Sequence, residues 1–111
     1  MDKKLRSDMH RTAIEEIRIV AAQLKCHVHE ASLQTHGRPN QRMTAGLPDL
    51  EVFYALGKTA FFEIKIPPDR LSERQKEFRD ICLNWRIPYC IVKNGEEFAQ
   101  DIRDLRMEGD K

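Results

Sequence analysis

Residues 49–66 hold two runs in which apolar and polar side chains alternate, joined at Gly57-Lys58. Leu50, Val52, Tyr54 and Leu56 alternate with Asp49, Glu51, Phe53 and Ala55; beyond the turn, Phe61, Glu63 and Lys65 share one side and Phe62, Ile64 and Ile66 the other. A period of two is that of a strand, and the glycine-containing gap marks a hairpin turn. Glu63 and Lys65 therefore point the same way by geometry alone. A two-residue loop at Gly57-Lys58 pairs Asp49 with Ile66, on the wrong face. Bringing Asp49 beside Glu63 and Lys65 requires an odd-length loop or a bulge, and one or the other is predicted.

The flanking segments read as helices and one further strand. Ile14, Ile17, Val20, Ala21, Leu24 and Val28 form one helical stripe, predicting a helix over residues 7–28. Glu15 points away from that stripe and Glu16 lies at its edge, about 100° from its centre, where a carboxylate can reach the rim of a sheet or remain solvated. His10 shares the stripe and reads as packed. Pro67-Pro68 ends the second strand of the hairpin. Ser72-Glu73-Arg74-Gln75 resembles a capping box and opens a helix reaching Trp85 or Arg86, with Leu71, Gln75, Phe78, Cys82 and Trp85 on its buried stripe. Gln75 is either a cap or an inward amide, and a buried amide needs a partner. Residues 87–92 form an apolar strand, parallel to the Glu63 strand because a helix crosses between them. A last helix spans residues 96–106.

A chain of 111 residues is read as one domain. No apolar run approaches the ~20 residues that span a bilayer, and the N-terminus lacks the apolar core of a signal peptide. Cys26, Cys82 and Cys90 lack zinc-ligand spacing and read as reduced thiols of a cytoplasmic protein. His27 and His29 have no evident third ligand. Net charge is only +1, so charge distribution says more than charge itself. No acid lies between Glu30 and Asp49, while His36, Arg38 and Arg42 do, which makes this stretch a basic loop. A second cluster holds Lys65, Arg70, Arg74, Lys76 and Arg79 among Asp69, Glu73 and Glu77. Both read either as phosphate contacts or as solvated surface.

Burying a charge is costly unless a partner or a metal satisfies it. Two carboxylates about 4 Å apart repel by roughly 4 kcal/mol at an effective dielectric near 20. Asp49 and Glu63, once adjacent, must therefore share a proton or a cation. Mg²⁺ suits them, since it takes one or two carboxylates together with waters and phosphate oxygens. The Ile64 carbonyl, between Glu63 and Lys65, offers another oxygen, and Lys65 can orient water or stabilise phosphate charge. Phosphodiester hydrolysis is the reaction this combination fits.

Three segments, Gly46-Leu47-Pro48-Asp49-Leu50, Phe62-Glu63-Ile64-Lys65 and Leu71-Ser72-Glu73-Arg74-Gln75-Lys76, together resemble the PD-(D/E)XK nuclease pattern, specifically its VRR-NUC branch. Residues 86–92 are similar to that family's final core strand, and the resemblance covers about residues 9–106. It implies a single nuclease domain over residues 1–111. The implied α/β fold is a restriction-endonuclease-like core, a mixed sheet with a β-hairpin and a parallel crossover strand, flanked by helices. It also implies Mg²⁺ or Mn²⁺ dependence and DNA cleavage. Asp49 and Glu63 become metal ligands, Lys65 the catalytic lysine and Gln75 the supporting glutamine, with Glu16 as a further metal ligand and Glu15 as the fallback. Stand-alone members of the branch resemble Holliday-junction resolvases in size and tend to be homodimers, which implies a branched or otherwise structured DNA partner. The alternative is a non-cleaving DNA- or partner-binding module on the same core, which expects a missing acid or lysine; none is missing. A third reading, an interaction module with surface ion pairs, leaves the acids on apolar strands unexplained.

Overall fold

The alternating runs become the two central strands of a four-stranded mixed sheet in the computed structural model, which describes residues 3–31 and 46–109. In chain order the elements are α1 (Lys3–Gln23), β1 (His27–His29), β2 (Leu50–Ala55), β3 (Lys58–Ile64), α2 (Glu73–Asn84), β4 (Tyr89–Val92) and α3 (Gly95–Gly109). The sheet runs β1-β2-β3-β4, antiparallel except for the β3–β4 pair. That pair is parallel because α2 carries the chain back across the sheet, as expected.

The register of the hairpin decides which side chains meet. The turn falls one residue earlier than the sequence suggests: Leu56 and Gly57 form it, and Lys58 already pairs with Ala55. The register then shifts between Phe53 and Ala55, so that Phe53 opposes Thr59 and Leu50 opposes Phe62. This is the bulge that the parity argument requires. One extra residue in β2 reverses which face every earlier side chain occupies. Continuing the register one pair beyond Leu50 sets Asp49 against Glu63.

One sheet face packs on α1 and α3. Leu50, Val52, Tyr54, Ala60, Phe62, Ile64 and Val92 are buried there with Ala13, Ile17 and Ala21 of α1 and Phe98 and Ile102 of α3. The Phe62 and Phe98 rings lie 4.8 Å apart. On the opposite face α2 covers β3 and β4 through Phe78, whose ring meets Phe61 edge-on at 5.2 Å and Tyr89 at 6.4 Å. Phe61, Glu63 and Lys65 thus lie on the α2 side.

Three sequence expectations are corrected. The first helix stops at Gln23 instead of running to residue 28. Lys25 adopts φ 59, and the N–H groups of Lys25 and Cys26 return to the carbonyls of Ala22 and Ala21, a helix-ending motif in which glycine normally takes the left-handed position. The residues beyond it form β1, an edge strand paired with β2. Trp85 lies at the end of α2 and is 75% exposed, because Arg86 (φ 57) turns the chain away there. The last helix begins at Gly95, with Asn94 Oδ1 accepting from Glu97 N–H at 2.9 Å, and runs through Met107 to Gly109. Among the described residues no helix is long and apolar enough to cross a membrane.

Candidate active site

Asp49 and Glu63 are joined through the main chain. The Asp49 N–H donates to Glu63 Oε2 at 3.0 Å, and the Ile64 N–H donates to Asp49 Oδ2 at 2.8 Å. Each carboxylate is therefore anchored by the backbone of the opposing segment, and side-chain rotation is restrained at both positions. Gly46 helps to place this loop. Its φ is +92, and a Cβ there would lie 2.6 Å from the Arg74 carbonyl oxygen, so the chain entering Pro48-Asp49 lies directly on the first turn of α2.

Gln75 fulfils both roles weighed from the sequence. Ser72 caps α2: its Oγ accepts from Gln75 N–H at 3.2 Å, and Gln75 Oε1 accepts from Ser72 N–H at 2.8 Å. The other end of the same amide, Nε2, donates to Glu63 Oε1. A carboxylate only accepts and a main-chain N–H only donates, so the two ends of the amide cannot be exchanged. Lys65 Nζ stands 3.7 Å from Glu63 Oε1, with the Lys65 side chain 20% exposed. The Lys65 main-chain N–H donates to the Val92 carbonyl at 3.0 Å, which fixes the backbone beyond β3 to β4.

Glu63 is only 3% exposed and is the one charged residue buried among the described residues. Burial pushes its carboxyl up to about 7, and the nearby Asp49 charge adds to that. Lys65 and the Asp49 N–H oppose the shift without cancelling it.

Sequence reading missed His10 as a site residue. Its Nε2 lies 3.2 Å from Asp49 Oδ2, and this hydrogen bond raises its pKa despite partial burial. The available signal was a titratable residue on an otherwise apolar helical stripe with Ala13 and Ile17. Glu16 is not brought to the two acids. Its Oε1 accepts from the Gly95 N–H at 3.0 Å, at the start of α3, and it lines a cavity of about 460 Å³ with Met9, Ile66 and Asn94. Glu15 is exposed. Arg70 and Arg74 are exposed near the start of α2 and form no ion pair among the described residues. Arg38 and Arg42 lie outside the described residues.

Among the described residues no three His, Cys, Asp or Glu side chains form a ready-made cage for a metal ion. The donor chemistry nonetheless fits Mg²⁺ or Mn²⁺. Asp49 and Glu63 present hard carboxylate oxygens, the hydrogen bonds that the described residues make to the Asp49 carboxylate fall on Oδ2 and not on Oδ1, and such ions complete their shells with water and phosphate.

No curated protein and no solved structure matches the chain. A family model, the VRR-NUC domain, matches residues 5–94, a span that takes in Asp49, Glu63, Lys65 and Gln75. With its mixed nuclease-like sheet and its paired acids before a lysine, the chain belongs to the VRR-NUC family of the PD-(D/E)XK nuclease-like superfamily.

Proposed function

We propose that this chain is a single nuclease domain over residues 1–111 that hydrolyses DNA phosphodiester bonds as a Mg²⁺- or Mn²⁺-dependent endonuclease, selecting branched or otherwise structured DNA such as a Holliday junction. The observation that carries this reading is the reciprocal anchoring of Asp49 and Glu63, which holds two carboxylates side by side with the Lys65 ammonium 3.7 Å from one of them.

In this reading Asp49 and Glu63 hold the cation, with the Ile64 carbonyl as a further oxygen. When bound, the ion supplies Lewis acidity to phosphate oxygens and acidifies water. Lys65 places positive charge where the scissile phosphate gains negative charge, and it orients the attacking water. Gln75 keeps Glu63 Oε1 directed into the site through its amide N–H. The exposed guanidinium groups of Arg70 and Arg74, together with Arg38 and Arg42, contact DNA phosphates.

Two copies of the chain act together in this reading, which lets a small domain cut two strands. β4 is an edge strand with Ile91 48% exposed, and Ile81 and Trp85, one helical turn apart, are 54% and 75% exposed. Large apolar side chains left exposed in this way suit a self-association surface. Three free thiols, at Cys26, Cys82 and Cys90, suit the reducing cytoplasm.

The test is incubation of the purified chain with linear, flapped and four-way DNA, with Mg²⁺, with Mn²⁺ and with chelator. The expected result is cutting that needs the cation and is fastest on branched substrates. Equal rates on all three would overturn structure selectivity, and intact DNA throughout would overturn the endonuclease reading.

A further inference from the structure

The geometry points to His10 as the positioning residue for Asp49, a hydrogen-bond donor from α1 that turns the carboxylate so that Oδ1 faces the cation site. This inference rests on the proposed metal-binding role of Asp49. α1 reaches the site through its first half. Arg6 Nη1 pairs with Asp69 at 2.7 Å in the segment after β3, and one helical turn later His10 Nε2 meets Asp49 Oδ2 at 3.2 Å. Residues four apart lie on the same helix face, so one face of α1 touches chain segments on both sides of the hairpin.

Asp49 Oδ2 also accepts the Ile64 N–H at 2.8 Å; a carboxylate oxygen only accepts, so the His10 tautomer that bonds to it is the one protonated at Nε2. Two donors on one oxygen fix the plane of the carboxylate more tightly than one donor does. Glu63 is held in a similar way, by the Asp49 N–H on Oε2 and the Gln75 amide on Oε1. Each acid thus has one main-chain donor and one side-chain donor, the latter from α1 for Asp49 and from α2 for Glu63. Glu16, the acid of α1 expected at the site, is engaged at Gly95 instead. The contribution of α1 is therefore a donor rather than another negative charge. Outer partners of this kind typically change metal affinity by about 10- to 100-fold when removed.

The test is calorimetric titration of Mn²⁺ into the metal-free full chain and into His10→Phe, His10→Gln and Asp49→Ala, with thermal melts of each. His10→Phe keeps a ring and loses the donor; His10→Ala replaces it if the Phe variant does not fold. The expected result is a Kd raised about 10-fold or more in His10→Phe with the melting temperature little changed. In His10→Gln, which restores an N–H donor, affinity should return to within about threefold of the parent. Unchanged affinity in His10→Phe alongside weakened affinity in Asp49→Ala would overturn the role of His10 alone. Unchanged affinity in Asp49→Ala would instead remove the metal reading on which it rests. Electron spin-echo spectra of the Mn²⁺-loaded parent should show no directly coordinated imidazole nitrogen; a coordinated nitrogen that disappears in His10→Phe would make His10 a ligand and overturn the donor role.

Discussion

Asp49 donates its main-chain N–H to the Glu63 carboxylate at 3.0 Å, while its own carboxylate accepts the N–H of Ile64, the residue after Glu63, at 2.8 Å. Two acids that would repel one another are thereby held together by strand pairing. The arrangement depends on the register shift between Phe53 and Ala55. Without it, Asp49 would face the opposite side of the sheet from Glu63 and Lys65.

The protonation of Glu63 gives stability a direction with pH. Its carboxyl rises from an ordinary 4.5 to about 7 on folding, first through burial and then through Asp49. Below pH 4.5 both folded and unfolded chains hold the proton. Between these values only the folded chain does, so stability falls as pH rises, and above about 7 the loss is complete. The hydrogen bond of His10 to Asp49, which raises the pKa of His10, acts in the same sense. Chelator-treated protein is expected to melt at a lower temperature at pH 8 than at pH 5. Glu63→Gln should flatten that slope, at a cost of about 1 kcal/mol because its single amide oxygen cannot serve both the Asp49 N–H and Gln75. Melting curves across this pH range check both statements, and a slope unchanged in the variant would count against Glu63 as its source.

Ser72 and Gln75 separate helix capping from site support. Ser72→Ala removes the hydroxyl that accepts the Gln75 N–H and is expected to cost about 1 kcal/mol in urea unfolding, leaving Mn²⁺ affinity near the parent value. Gln75→Ala removes the reciprocal half of the cap and the donor to Glu63 together, so stability and Mn²⁺ affinity should both fall. Equal Mn²⁺ affinities in the two variants would assign Gln75 to the cap alone.

Gly46→Ala tests how the loop bearing Asp49 is placed. The added methyl would meet the Arg74 carbonyl oxygen at 2.6 Å, and φ +92 is unfavourable for alanine. A loss of about 2 kcal/mol or more is expected from chemical denaturation. A change within about 0.5 kcal/mol would show that the loop moves off α2 without cost.

Replacing Arg70 and Arg74 by alanine should weaken DNA binding and make the slope of log K against log salt shallower by about 0.9 for each phosphate that is no longer neutralised. The same measurement on Arg38→Ala with Arg42→Ala tests the basic stretch of sequence before Asp49. An unaltered slope in either pair would exclude that pair from phosphate binding.

Much of the fold was readable because periodicity is local. Alternation along residues 49–66 revealed the hairpin, and the parity of Asp49 against Glu63 demanded an irregularity before its position was visible. Ser72 and Gln75 spelled out a cap, although only the packing of α2 on β3 showed that the amide reaches Glu63 as well. Other features rest on tertiary contacts. Lys25 ends α1 in the left-handed conformation that glycine adopts most readily, so no glycine marked the stop, Val28 passed for a helical residue and β1 was hidden. His10 and Glu16 lie on the same helix, and their roles depend on how far along it the sheet ends, which no stripe records.

The most direct test is cleavage of a four-way DNA junction in Mn²⁺ by the parent and by Lys65→Ala, with junction binding measured on the same samples. The variant is expected to bind with affinity within about threefold of the parent and to cut at least about 10²-fold more slowly, because the lysine acts on the phosphate charge that develops during hydrolysis. Cutting by Lys65→Ala at the parent rate would contradict the catalytic role assigned to this ammonium group.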